Sequence, residues 1–108
     1  MIGDVWTLHR SEETVARLTV IGWDFPWMHA TIEELPAFGA DRGLFAEQEE
    51  ALDAEDDERA DTLYDRIRER LTMKFPDGND VAEFFLRIHG DGTAGWRWHD
   101  RPFSETED

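Results

Sequence analysis

Apolar and polar residues alternate in three stretches of the first third of the chain, at residues 5–9, 15–23 and 27–33. Alternation with a period of two places successive side chains on opposite faces of a β-strand, so the pattern predicts three strands. The second stretch has apolar residues on both faces, which is typical of a central strand. Asp24-Phe25-Pro26 separates it from the third, because proline lacks the amide hydrogen that a strand interior uses. We expect an antiparallel meander.

The middle of the chain changes to a helical period. Residues 36–43 have the composition of a loop, and apolar residues then recur every three or four positions over residues 44–52 and 54–73. This spacing predicts a short helix and a longer one, with Asp53 as the N-cap of the longer helix.

Two further strands are predicted at residues 83–89 and 95–99. A two-residue turn at Asp91-Gly92 is expected to join them as a hairpin. The cross-strand pairs in that register are Arg87 with Trp96, Phe85 with Trp98, and His89 with Ala94. A one-residue bulge would exchange these companions.

The order of three strands, one or two helices and two strands predicts an α+β fold. We expect a five-stranded, largely antiparallel sheet with the helical segment packed on one face. The length is that of one domain, predicted at residues 1–103, followed by an acidic tail at residues 104–108.

The chain carries 26 acidic and 11 basic residues, a formal charge of −15 at pH 7. Such a charge repels nucleic acid and anionic membranes and favours a basic protein as partner. An alternative explanation is that the acidity reflects a GC-rich genome or keeps the protein in solution. Five Trp and seven Phe residues indicate that the chain folds despite this charge, because each ring buries a large apolar area.

Composition excludes several classes of site. The chain has no cysteine, so disulfides, thiolate zinc sites, iron–sulfur clusters and cysteine nucleophiles are ruled out. No apolar run approaches the ~20 residues that span a bilayer, and the N-terminus lacks the pattern of a signal peptide. A cytoplasmic location is therefore expected.

Two short aromatic motifs give the chain a resemblance to known sequences. Asp24-Phe25-Pro26-Trp27 with the strand that follows, and Gly95-Trp96-Arg97-Trp98 in the last strand, resemble those of a group of small acidic bacterial proteins. These proteins also have an acidic helical middle that contains Leu-Phe, so the resemblance extends over nearly the whole chain. The group has no assigned activity, and the resemblance therefore implies no catalytic or binding residue.

No stretch has a recognisable catalytic or cofactor signature. The histidines, His9, His29, His89 and His99, lack the spacing of a metal site, and we expect no metal ion or other cofactor. The acidic run at residues 47–61 lacks the glycine and the final glutamate of a calcium-binding loop. Residues 90–95 are rich in glycine but have neither the helix nor the lysine of a phosphate-binding loop.

Aromatic residues are the strongest candidates for a binding surface, because tryptophan is an efficient interface anchor. Whether these tryptophans are exposed or complete the core is left open by the sequence. With neighbouring polar residues, the candidate set is Trp23, Asp24, Trp27, His29, Arg87, His89, Trp96 and Trp98.

Three functions fit these observations. The favoured one is a non-catalytic protein-interaction module that docks a basic partner. The second is a small-molecule-binding protein or enzyme with a pocket lined by tryptophan and histidine. The third is a structural subunit that forms a homo-oligomer through an aromatic face. The chain is accordingly expected to be a monomer or a homodimer.

Overall fold

The computed structural model describes residues 2–99, which form six strands, two α-helices and one short 3-10 helix. In chain order the elements are β1 Val5–Arg10, β2 Glu13–Asp24, β3 Trp27–Glu34, the 3-10 helix Pro36–Ala40, α1 Arg42–Asp53, α2 Asp57–Arg70, β4 Thr72–Lys74, β5 Glu83–Ile88 and β6 Thr93–His99. The predicted α+β class is confirmed, whereas the predicted number of five strands is wrong by one. Residues 100–103 of the predicted domain and the predicted tail at 104–108 lie outside the described residues.

The six strands form one antiparallel sheet in the order β4-β1-β2-β3-β6-β5. Strands β1, β2 and β3 pair in sequence, so the predicted meander is confirmed. The hairpin of β5 and β6 joins β3 through β6, and the sheet curls into nearly a barrel.

The inner face of the sheet carries the hydrophobic core. Alternate strand residues point inward, so Leu8 of β1 and Trp96 of β6 are fully buried. Phe45 of α1 belongs to the same cluster. α1 also covers the edge of β5, where Gln48 Nε2 donates to the Leu86 carbonyl oxygen at 2.9 Å. No helix within residues 2–99 has the length and hydrophobicity needed to span a bilayer.

The longer predicted helix ends early, and a strand takes its last residues. α2 ends at Arg70, Leu71 is extended, and β4 follows, whereas the helix was expected to continue to residue 73. β4 pairs with β1, and Met73 is buried in the core. Pairing with a distant strand outweighs the local helical period here.

The start of α2 also differs from the prediction. Asp56, and not Asp53, is the N-cap, and its Oδ1 accepts a hydrogen bond from the Arg59 backbone amide at 3.2 Å. Asp53 is instead the last residue of α1. Aspartate is favoured at N-cap positions, so both residues were suitable. Because α1 continues to Asp53, Asp56 is the aspartate that remains to begin α2.

The β5–β6 hairpin has a different register from the predicted one. Its loop has three residues, 90–92, closed by a hydrogen bond from the His89 amide to the Thr93 carbonyl oxygen at 2.9 Å. Gly92 has a φ of 88°, which is typical of the last residue of a three-residue hairpin loop. The predicted partners of Trp96, Trp98 and Ala94, which were Arg87, Phe85 and His89, are therefore wrong. The observed pairs are Leu86 with Trp96, Phe84 with Trp98, and Ile88 with Ala94.

Candidate functional site

The exposed large apolar side chains within residues 2–99 are Ile2, Val5, Ile21, Trp23, Phe25 and Trp98. Three of them, Trp23, Phe25 and Trp98, line one cleft where β2 and β6 end and β3 begins. Phe25 is 92% exposed and Trp23 is 55% exposed. Exposed apolar residues need no explanation when they are scattered, but their gathering at one end is typical of an interaction surface. We call these three residues the apolar end.

A β-bulge sets the direction of the residues that end β2. The register of β2 against β3 shifts at Ile21. Beyond the bulge, Trp23 lies opposite Met28 on the inner side of the sheet, and Asp24 lies opposite Trp27 on the outer side. Without the extra residue, alternation along β2 would reverse these two sides.

A cleft of about 460 Å³ opens at the apolar end. Trp23, Phe25 and Trp98 are among the residues that line it. The Trp98 ring packs on Trp6 and Phe75, with centroid separations of 5.9 and 5.0 Å. The cleft therefore continues the aromatic core to the surface, where it can receive an apolar side chain.

A second concavity, of about 220 Å³, lies on the outer face of β3, β6 and β5. Its lining consists of Gly95 and five of the predicted candidates, Asp24, Trp27, His29, Arg87 and His89. We call it the outer pocket. His29 and Arg87 lie opposite Gly95 on the two neighbouring strands, so the missing side chain of the glycine leaves the space between them.

The guanidinium of Arg87 is held in place by Glu49 of α1. Its Nε and Nη2 donate to the two carboxylate oxygens at 2.9 and 3.0 Å, and this hydrogen bonding raises the pKa of Arg87. Two parallel hydrogen bonds make such a pair both strong and directional. His89 Nδ1 lies 3.8 Å from Glu49 Oε1. Glu49 therefore orders one side of the outer pocket.

Trp27 lies between the two concavities and lines both of them. Its ring meets Phe85 of β5 edge-on, with centroids 5.8 Å apart, across the intervening strand β6. The guanidinium carbon of Arg97 lies 5.9 Å from the Trp27 ring centroid. These contacts hold a half-buried indole on the outer face.

The structure places the remaining candidates in two different environments. Trp23 and Trp98 belong to the apolar end. Trp96 is fully buried and packs edge-on against Trp6, with centroids 5.3 Å apart. Its side chain is therefore part of the core and is closed to a partner.

Two residues that shape the outer pocket, one in its lining and one that holds Arg87 in place, were not predicted from the sequence. The sequence does contain a signal for Gly95, because a glycine inside a predicted strand often marks a place where another group approaches the backbone closely. Glu49 had none, since it lies 38 residues from Arg87 along the chain and only the fold brings the two together.

Both concavities are suited to binding. The cleft offers aromatic surface, and the outer pocket offers hydrogen-bond donors and acceptors beside an aromatic ring. Within residues 2–99, no three His, Asp or Glu side chains form a group that could hold a metal ion.

Comparisons with known proteins found no match, since no family model fits the chain and no curated protein or solved structure is significantly similar to it. Its function is therefore inferred from its own residues and geometry.

Proposed function

We propose that the protein is a non-catalytic interaction module that docks a basic partner protein through its apolar end. The observation that carries the proposal is the gathering of exposed aromatic residues, with Phe25 at 92% and Trp23 at 55% exposure, in a chain of formal charge −15. Large aromatic side chains dominate the binding energy of protein interfaces. An acidic surface speeds the approach of a basic partner and helps to select it.

Trp23 and Trp98 are positioned to act as anchors. Trp98 is supported by core rings, and the bulge in β2 directs Trp23 into the same cleft. A side chain that is already held by packing loses little conformational freedom on binding. Full burial of one such large side chain contributes about 1.5–3 kcal/mol, so two or three anchors suffice for a specific contact.

The charge of the chain favours a basic partner over a second copy. A homodimer formed through the apolar end would bring together two chains of charge −15, and like charges oppose association. The same charge opposes docking on nucleic acid. The proposal accordingly includes a monomeric free protein, and a cytoplasmic location stays part of it.

A peptide-display selection tests the proposal, with the wild-type protein as target and the double variant Trp23→Ser/Phe25→Ser as counter-target. We expect selected peptides to combine a large apolar residue with a net positive charge. Their affinity should fall about tenfold or more on the double variant, because two anchors are lost. It should also weaken as salt rises from about 50 to about 300 mM.

The matched control is Thr31→Ser, on the exposed outer face of β3 and outside both concavities, which should leave binding unchanged. Neutral or acidic peptides, affinity that is indifferent to salt, or full binding to the double variant would each contradict the proposal. A stable dimer of the wild type in sedimentation, lost in the double variant, would favour the homo-oligomer alternative.

A further inference from the structure

The outer pocket is small enough to select for a single ring. Its volume of about 220 Å³ is below the ~300–1,000 Å³ of sites that hold drug-sized ligands. The backbones of His29 and Arg87 are two strand spacings apart across Gly95, which is roughly 10 Å. Their side chains narrow this width further.

The polar groups around the pocket include both donors and acceptors. The carboxylate of Asp24 accepts hydrogen bonds, whereas the guanidinium of Arg87 only donates them. Glu49 occupies Nε and Nη2 of Arg87, and Nη1 donates no hydrogen bond to a group within residues 2–99. The imidazole of His29 serves in either role. Hydroxyl groups match this set, because each hydroxyl both donates and accepts.

The charges around the pocket disfavour an ionic ligand. An anion meets the repulsion of a chain of charge −15 as well as the nearby carboxylates of Asp24 and Glu49. A cation meets Arg87, and also Arg97, which lies beside Trp27 and forms no ion pair within residues 2–99. A neutral ligand avoids both penalties.

The indole of Trp27 supplies an ordered apolar surface beside these polar groups. Phe85 holds it edge-on at 5.8 Å, so little ordering remains to be done when a ligand packs against it. The C–H groups on one face of a pyranose pack well against such a ring, while its hydroxyls remain free to form hydrogen bonds at the periphery.

We propose that the outer pocket binds a neutral sugar ring, a single pyranose, at a site that shares only Trp27 with the cleft at the apolar end. The C–H face of the sugar packs against Trp27. Its hydroxyls donate to Asp24 and accept from Arg87, which Glu49 holds in position. His29 completes the hydrogen bonding from β3.

Titration followed by ¹H–¹⁵N NMR tests this site, with glucose, galactose, mannose and N-acetylglucosamine as probes. At least one of them should shift the amide signal of Gly95 and the indole signal of Trp27 with a Kd on the order of millimolar, as expected for so few ligand atoms. Glucuronate and free arginine, which carry a negative and a positive charge, should bind more weakly.

The sharpest variant is Gly95→Val, which fills the space between His29 and Arg87. A Cβ at this position meets Met28 O at 3.5 Å, His29 Nδ1 at 3.6 Å and Trp27 Cε3 at 3.8 Å, which are ordinary contacts, so the strand can accept the Cβ while the remaining methyl groups of valine enter the pocket. Sugar affinity should fall about tenfold or more. Asp24→Ala, at an exposed position, should lower it about threefold or more.

Phe25→Ser is the matched control, since Phe25 lines the cleft and not the outer pocket. It should leave sugar binding intact while it weakens peptide docking, so the two proposals fail separately. The sugar proposal is overturned if none of the four sugars shifts these signals at about 100 mM. Tighter binding of glucuronate or arginine, or unchanged sugar binding in both pocket variants, would overturn it as well.

Discussion

Asp41 is the most deeply buried charged residue in the described part of the chain, with no exposed surface. Its carboxylate accepts hydrogen bonds from Arg10 Nη1 of β1 at 2.5 Å and from Arg70 Nε of α2 at 2.6 Å. Arg10 Nη1 also donates to the Ala37 carbonyl oxygen at 3.3 Å. Asp41 therefore links β1 to the end of α2. It does so from the junction between the 3-10 helix and α1.

Asp41→Asn should lower the free energy of unfolding by about 3 kcal/mol, because Arg70 loses its carboxylate partner and Arg10 keeps only a longer ion pair with the exposed Glu13, at 3.7 Å. This loss of stability is at the lower end of the range for breaking a buried ion pair, because both arginine side chains remain partly exposed to water. Urea unfolding measures it. The matched control is Glu33→Gln, which removes an exposed pair with Arg17 and should cost less than about 1 kcal/mol. Equal effects of the two substitutions would contradict this role of Asp41.

His9 makes stability depend on pH. Its burial and, secondarily, the charge of Lys74 lower the pKa of His9 below the ordinary value of 6.5, with Asp80 acting in the opposite direction. The folded state thus holds the proton less tightly than the unfolded chain. This part of the stability is present above pH 6.5 and is lost as the pH falls below it.

The comparison of wild type with His9→Gln isolates that effect, because the carboxylates titrate alike in both proteins. The unfolding free energy of the wild type minus that of the variant should decrease between about pH 7.5 and about pH 5.5. Urea unfolding at several pH values measures the difference. A difference that stays constant, or one that grows as the pH falls, would contradict the direction of the shift.

At this scale the sequence proposed candidate residues but could not give their environment. Asp24, Trp27, His29, Arg87 and His89 line one concavity in the fold, and their role in binding stays a prediction. The residues next to Trp96 in the sequence could not show that its side chain is buried, because that burial depends on which strands lie beside β6.

At the scale of elements, α2 depends on a capping aspartate that local sequence places ambiguously. Asp56→Ala should lower the free energy of unfolding by about 1 kcal/mol, because the Arg59 amide loses its acceptor. Asp53→Ala, the matched control, should change it by less than about 0.5 kcal/mol, since Asp53 caps no helix start. Thermal or urea unfolding followed by circular dichroism distinguishes the two. A larger loss from Asp53→Ala would restore the sequence-based assignment.

Elements with a long, regular period were predictable. The meander of β1 to β3 and the two helices follow from periods of two and of three to four residues. β4 was missed because three residues carry too little pattern, and its pairing partner β1 lies more than 60 positions earlier. The last hairpin shifted by one residue because Asp91-Gly92 fits a two-residue turn and also the end of a three-residue loop.

At the scale of the whole molecule, the apolar end exists only because the topology assembles it. Trp23 and Trp98 are far apart in sequence, and the order β2-β3-β6 brings their strands to the same end of the sheet. Neither charge nor hydropathy shows this arrangement, although the excess of acids does indicate the class of partner. We propose accordingly that a basic partner docks at this end of the molecule.

The indole N–H signals of the five tryptophans test that claim most directly. In ¹H–¹⁵N NMR titrations with a basic peptide from the selection, the signals of Trp23 and Trp98 should shift, whereas that of the fully buried Trp96 should stay in place. The shifts should weaken at about 300 mM salt. Unmoved Trp23 and Trp98 signals, with shifts confined to amides of α1 and α2, would contradict docking at the apolar end.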